Sequence, residues 1–159
     1  MRDAPGVGLA APQIGVPIQL AVIEDRPEYS KEIAPERLAE RERQAVPFHV
    51  LINPRIVRQS DDQTEFFEGC LSLGGYSALV KRSRQVAVEC WDERGQARVI
   101  EAQGWYARIL QHEIDHLHGR LYIDKMEPRT FMSIDNLNRH WKDMPIQAVR
   151  KALGMDELE

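Results

Sequence analysis

The stretch Gln111-His112-Glu113-Ile114-Asp115-His116-Leu117-His118-Gly119 contains an H-E-x-x-H pattern, His112 to His116. On a helix, residues four apart stand one above the other on the same face. Two imidazoles so placed can grip one metal ion, and Glu113, directly after the first, can reach a water held on it. The spacing predicts a helix over 104–118, stopped by Gly119 at the position where a left-handed residue ends a helix. At about 100° per residue, Trp105, Arg108, His112 and His116 share one side, and Leu110, Ile114 and Leu117 the other. A helix that is apolar behind its histidines is expected to pack on its back and present a metal on its front.

Around this helix the chain reads as short strands. Runs over 18–24, 48–57, 64–67, 76–80, 85–91 and 97–102 have strand character, with turns at Gly74-Gly75 and Asp92–Gly95. Pro54 marks an edge or a bulge. Val86, Val88 and Cys90 alternate onto one face, so Cys90 is expected in the core as a small hydrophobe. The proline-bracketed, charge-rich segment 25–47 reads as a surface insertion, with Pro35 opening a short helix through Ala45. Helices are expected over 130–141 and 145–153. The fold class is therefore α+β, with mostly antiparallel strands packed around the central H-E-x-x-H helix.

The 159 residues form one expected domain, 1–159. Apolar residues make up 43% and charged residues 29%, with a net charge of −4 of mixed sign. That balance argues against a nucleic-acid site and against a basic membrane face. No apolar run nears the roughly 18 residues of a membrane span. Two cysteines, Cys70 and Cys90, make a poor disulfide framework, which fits a reducing compartment. The beginning, Met1-Arg2-Asp3-Ala4-Pro5, carries no secretory pattern. His49, His118 and His140 read as surface residues.

Two imidazoles do not complete a catalytic site, which takes three protein ligands and leaves a position open. In the pattern H-E-x-x-H-x-x-G-x-x-H the third ligand is a histidine six residues after the second. This chain matches through Gly119 and then has Tyr122 at that place. Glu127 is one alternative third ligand. Cys70 is the other, since a thiolate with two imidazoles suits Zn²⁺ or Fe²⁺. The bland alternative to all of these is an exposed helix carrying His, Glu and His as ordinary surface residues.

Three segments, Gly6-Val7-Gly8-Leu9-Ala10-Ala11-Pro12-Gln13, Glu68-Gly69-Cys70-Leu71-Ser72 and Gln111 to His116, resemble in this order the three signature motifs of the peptide deformylase family. Gly75-Tyr76 and Gly104-Trp105 look more like the type I members that include organellar forms. The resemblance implies Cys70, His112 and His116 as ligands of one divalent ion, Fe²⁺ natively with Zn²⁺, Ni²⁺ or Co²⁺ as substitutes. It implies hydrolysis of the N-formyl group from the initiator methionine of nascent polypeptides, with Glu113 as the acid–base group. Gln13 and the backbone N–H of Leu71 would donate to the developing oxyanion, each worth roughly 3–4 kcal/mol in the barrier. Val7, Gly8, Gly69, Trp105 and the stem of Arg108 are the expected substrate contacts, with the Arg108 head directed to solvent or to a carboxylate such as Glu68. Partners would be N-formyl-Met peptides and ribosomes, with no membrane, in a bacterial cytoplasm or an organelle. Family members carry a few dozen residues before the first motif, which here begins at Gly6, so the domain is expected to lack that segment. Two rival readings are a peptidase using Glu127 and a metal-holding but inactive protein.

Overall fold

The structure, a computed structural model, describes residues 1–4 and 6–155. Helix α2 (Gly104–Leu117) ends within one residue of its expected limit. Gly119, at φ 72°, turns the chain back so that the Gly119 and Arg120 amides donate to the carbonyls of His116 and Asp115. Leu110, Ile114 and Leu117 on the back of α2 are buried, each contributing about 1.5–3 kcal/mol of apolar burial. They pack with Ala21, Ile23, Leu51, Val86, Val88 and Cys90 as one core.

Those partners come from a five-stranded antiparallel sheet. Its strands are β1 (Gly8–Ala10), β2 (Leu20–Asp25), β3 (Val46–Gln59), β6 (Gln85–Trp91) and β7 (Ala97–Gln103), side by side in that order. Period-two alternation explains which residues face α2: Ala21, Ile23 and Asp25 of β2 are buried, and so are Val86, Val88 and Cys90 of β6. The expected bulge at Pro54 is present. The register of β3 against β6 shifts between Ile52 and Arg55, where Asn53 adopts φ 49°.

A second sheet joins β4 (Gln63–Glu68), β5 (Tyr76–Ser83) and β8 (Met132–Ser133), with β5 in the middle. One face of β5 packs Ala78 and Val80 against Tyr122, and the other packs Leu79 against Val149. The C-terminal helices are α3 (Ile134–His140) and α4 (Ile146–Ala152). Helix α3 begins four residues later than expected. Residues 128–130 form a separate 3₁₀ turn behind Pro128, and Ser133 supplies the N-cap by accepting from the Asn136 amide.

The segment 25–47 departs from its reading as a surface insertion. Its helix α1 spans only Pro35–Glu40, because the chain turns sharply at Glu42, φ 48°. Asp25 and Val46 are buried, and residues 41 and 42 press on the start of α2. A Cβ on Gly104, which has φ 58°, would lie 2.9 Å from the Arg41 carbonyl oxygen and closer still to the Glu42 Cβ. Only glycine allows this approach. His49 is also not a free surface residue: its ring nitrogens lie 2.9 Å from the Tyr106 hydroxyl and 2.8 Å from the Pro47 carbonyl. His118 and His140 are exposed, as expected.

Candidate metal centre

The i, i+4 spacing on α2 brings the Nε2 atoms of His112 and His116 to 3.2 Å. The loop leaving β4 carries Cys70 to the same point, with Sγ 3.2 Å from His116 Nε2. The ligand atoms of Cys70, His112 and His116 lie within 4.8 Å of one another. One sulfur and two nitrogens converging from a loop and a helix fit a soft or borderline divalent ion. Among the described residues this is the group that could hold a metal. Glu127 stands apart from it and accepts from the backbone amide and the side chain of Arg129. Tyr122, at the alternative histidine position, is buried in the small core against which Cys70 packs.

Electrostatics around the three ligands run through Glu68. This buried carboxylate accepts from Arg82 at 2.7 and 2.9 Å, from Arg108 at 2.6 Å, and lies 3.0 Å from His112 Nδ1. Burial opposes its charge, yet these donors outweigh burial and hold it well below the usual carboxylate range. A carboxylate on Nδ1 leaves Nε2 of His112 facing Cys70 and His116. Arg82 continues the chain to Asp115 at 2.6 Å, and Asp115 accepts from Lys125 at 2.7 Å. Burial would raise the Cys70 thiol and lower the His112 imidazolium. The polar groups around them override it: His112, His116 and the Ser72 amide bring the thiol down to about 5, and Cys70 and Glu68 bring the His112 imidazole up to about 10.

Glu113 is buried on the same helix, and its Oε2 has no hydrogen-bond partner among the described residues. Burial pushes its carboxyl up to about 7, against the pull of His112 and His116. Gly8 in β1 makes room for it. A Cβ there would stand 2.7 Å from Glu113 Cγ and nearer to the carboxylate itself. Gln13 is fixed from both ends. Its Oε1 accepts from the Ala10 amide at 2.8 Å, and its Nε2 donates to Ser72 Oγ at 3.0 Å and points at Cys70 Sγ from 3.7 Å.

These groups open into a cavity of about 440 Å³. Every residue expected to contact substrate lines it, Val7, Gly8, Gly69, Trp105 and Arg108, and so do Gln13, Leu71, Cys70, His112 and Glu113. Arg108 is buried along its whole length, and its head meets Glu68 and the carbonyls of Thr64 and Val80. Three contributors escaped the sequence reading. Arg82 sits among Lys81, Ser83 and Arg84 and reads as one more surface charge until its partners are known. The contact of Glu68 with His112 was readable only in that Glu68 precedes the cysteine by two positions. Arg43, which also lines the cavity, left no local signal.

Comparison with known proteins agrees with this geometry. The sequence profile of the polypeptide deformylase family matches residues 1–132. Peptide deformylase 1A, chloroplastic/mitochondrial, of Arabidopsis thaliana is 50% identical over 97% of this chain and 55% of its own length. Peptide deformylase 3 of Streptomyces avermitilis is 44% identical over 97% of this chain and 67% of its own length. The crystal structure of peptide deformylase from Ehrlichia chaffeensis superposes with a TM-score of 0.67 at 33% identity, covering 96% of this chain and 76% of that one. Relatives thus include bacterial and organellar proteins, and the chain spans about half the length of the plant relative. Among the described residues no helix is long and apolar enough to cross a membrane. With a Cys-His-His cluster framed by the same three motifs, and a profile match across most of its length, this chain belongs to the polypeptide deformylase family.

Proposed function

We propose that residues 1–159 act as a single catalytic domain that hydrolyses the N-formyl group of formyl-methionine peptides. The observation that carries this reading is the buried Glu113 carboxyl, whose Oε2 has no hydrogen-bond partner among the described residues, beside three converging ligand atoms that border a cavity. Cys70, His112 and His116 hold one divalent ion, natively Fe²⁺, with Zn²⁺, Ni²⁺ or Co²⁺ as substitutes. When bound, the ion supplies Lewis acidity beside that cavity.

The chain's own residues do the rest. Glu113 takes a proton from the attacking water as the water oxygen bonds to the formyl carbon. Gln13 Nε2 and the Leu71 backbone N–H donate to the former carbonyl oxygen as it gains negative charge. Glu113 then returns a proton to the amide nitrogen as the C–N bond breaks, giving formate and a free amine. Gly8 and Gly69 let the substrate backbone approach closely. Val7, Trp105 and the Arg108 stem receive the methionine side chain. Nascent polypeptides are the substrate pool, so the proposal includes contact with ribosomes, in a bacterial cytoplasm or an organelle.

Replacement of Glu113 by Gln is the test. After anaerobic purification, Glu113→Gln is expected to hold metal at one ion per chain. Its formate release from formyl-Met-Ala-Ser is expected to fall about 10²–10⁴-fold. Undiminished release by the variant, or none by the parent protein, overturns the reading.

A further inference from the structure

Arg43, from the segment that reads in sequence as a surface insertion, is one of the residues that line the cavity. Its guanidinium is fixed before any ligand arrives. Nε and Nη2 donate to Asp25 at 2.8 and 2.9 Å, and Asp25 is itself buried. The same guanidinium lies 5.3 Å from the centre of the Trp105 ring. The Arg43 side chain is only 9% exposed, yet its Nη1 has no hydrogen-bond partner among the described residues. Nor is it fully sealed in the protein, because Nη1 keeps some accessible surface. A planar donor held by two bonds and with N–H groups to spare is preorganised to recognise an acceptor.

Position along α2 indicates which part of a substrate would meet it. Trp105 lies seven residues before His112, about 10 Å along the helix axis. An extended formyl-methionine reaches roughly 7–8 Å from its formyl carbon to its terminal methyl, so a formyl group held near the ligand atoms leaves the end of the side chain within reach of the Trp105 region. Resting on the proposed deformylation, we propose that Arg43 is a specificity residue for the substrate's first side chain. It offers an Nη1 N–H to a hydrogen-bond acceptor near that side chain's end. A thioether sulfur is a weak acceptor, a sulfoxide oxygen a strong one, and the methylene of norleucine none.

The test compares kcat/KM for formyl-Met-Ala-Ser, formyl-norleucine-Ala-Ser and formyl-methionine sulfoxide-Ala-Ser. The parent protein is expected to favour methionine over norleucine about five-fold. The double variant Asp25→Leu with Arg43→Met removes both charges and leaves no buried carboxylate unpaired. In it, the methionine-to-norleucine ratio is expected to fall about five-fold, and the sulfoxide-to-norleucine ratio by more, about ten-fold. Losses equal for all three peptides mean a purely structural ion pair and overturn the proposal. If the double variant does not fold, a methionine-to-norleucine ratio of one in the parent protein overturns it instead. Absence of formate release from all three peptides defeats the deformylase reading itself, a result distinct from release without discrimination.

Discussion

At Gly8 a single hydrogen atom separates the β1 backbone from the Glu113 side chain. Replacing it with a methyl forces either the strand or the carboxylate to move. We expect Gly8→Ala to cost about 1–3 kcal/mol of stability in denaturant unfolding. It should also lower kcat with the metal content unchanged, because the displaced group is Glu113 and not a ligand. Wild-type kcat in a folded Gly8→Ala protein would show that the contact is slack. The candidate ligands and the proposed acid–base and oxyanion groups were legible in sequence, since His112, Glu113 and His116 share one local period and Cys70 and Gln13 sit in short motifs. Gly8 was legible as a close approach of backbone, but what approaches it was not, because Glu113 lies over a hundred positions away and on another element. Arg43 and Arg82 act at a distance in the same way, and only the folded chain pairs them with Asp25 and Glu68.

At the scale of elements, the β6–β7 hairpin shows how one side chain organises a turn. Asp92 Oδ1 accepts from the amides of Arg94 and Gln96, and Oδ2 accepts from Arg98 at 2.9 Å. The amide of Gln96, then those of Arg94 and the Arg98 side chain, hold the Asp92 carboxyl below its ordinary range despite burial. A carboxyl depressed in the native state stabilises fully above its unfolded pKa, about 3.9, and loses that contribution as pH falls towards the native value. The stability difference between the parent and Asp92→Asn should therefore be constant from pH 7 to about pH 5 and shrink below it, followed by urea unfolding at each pH. A difference that grew on acidification would contradict the assignment. The turn itself was readable from Asp92-Glu93-Arg94-Gly95. The segment 25–47 was not, because its many charges resemble a solvated loop. Its seat against α2 depends on φ 58° at Gly104, which sequence spacing does not reveal.

For the whole molecule, the candidate ligands join two layers. Cys70 leaves the three-stranded sheet, while His112 and His116 belong to the helix packed on the five-stranded one. Such a site exists only in the folded chain, so metal binding adds to stability by mass action. At about 100 times its dissociation constant, an ion contributes about 2.7 kcal/mol, which for a chain of this size moves the unfolding midpoint by about 5–10 °C. Removing metal with a chelator should lower Tm by that amount in calorimetry, and restoring Zn²⁺ should recover it. An unchanged midpoint would mean that the three residues do not hold an ion. The α+β class and the two-sided helix followed from periodicity alone. The division into two sheets did not, because strands 63–68 and 76–83 alternate no differently from those of the larger sheet.

The seat of Glu113 has a further meaning for how the protein moves. β1 is three residues long and hydrogen-bonds to a single neighbour, β2. Fraying is cheapest in such a strand, well before the cooperative interior gives way. The side chain that must be placed most accurately therefore rests on the least tethered rung of the sheet. Small excursions of that rung reach the carboxylate directly, whereas the helix that bears Glu113 is anchored along its entire apolar back.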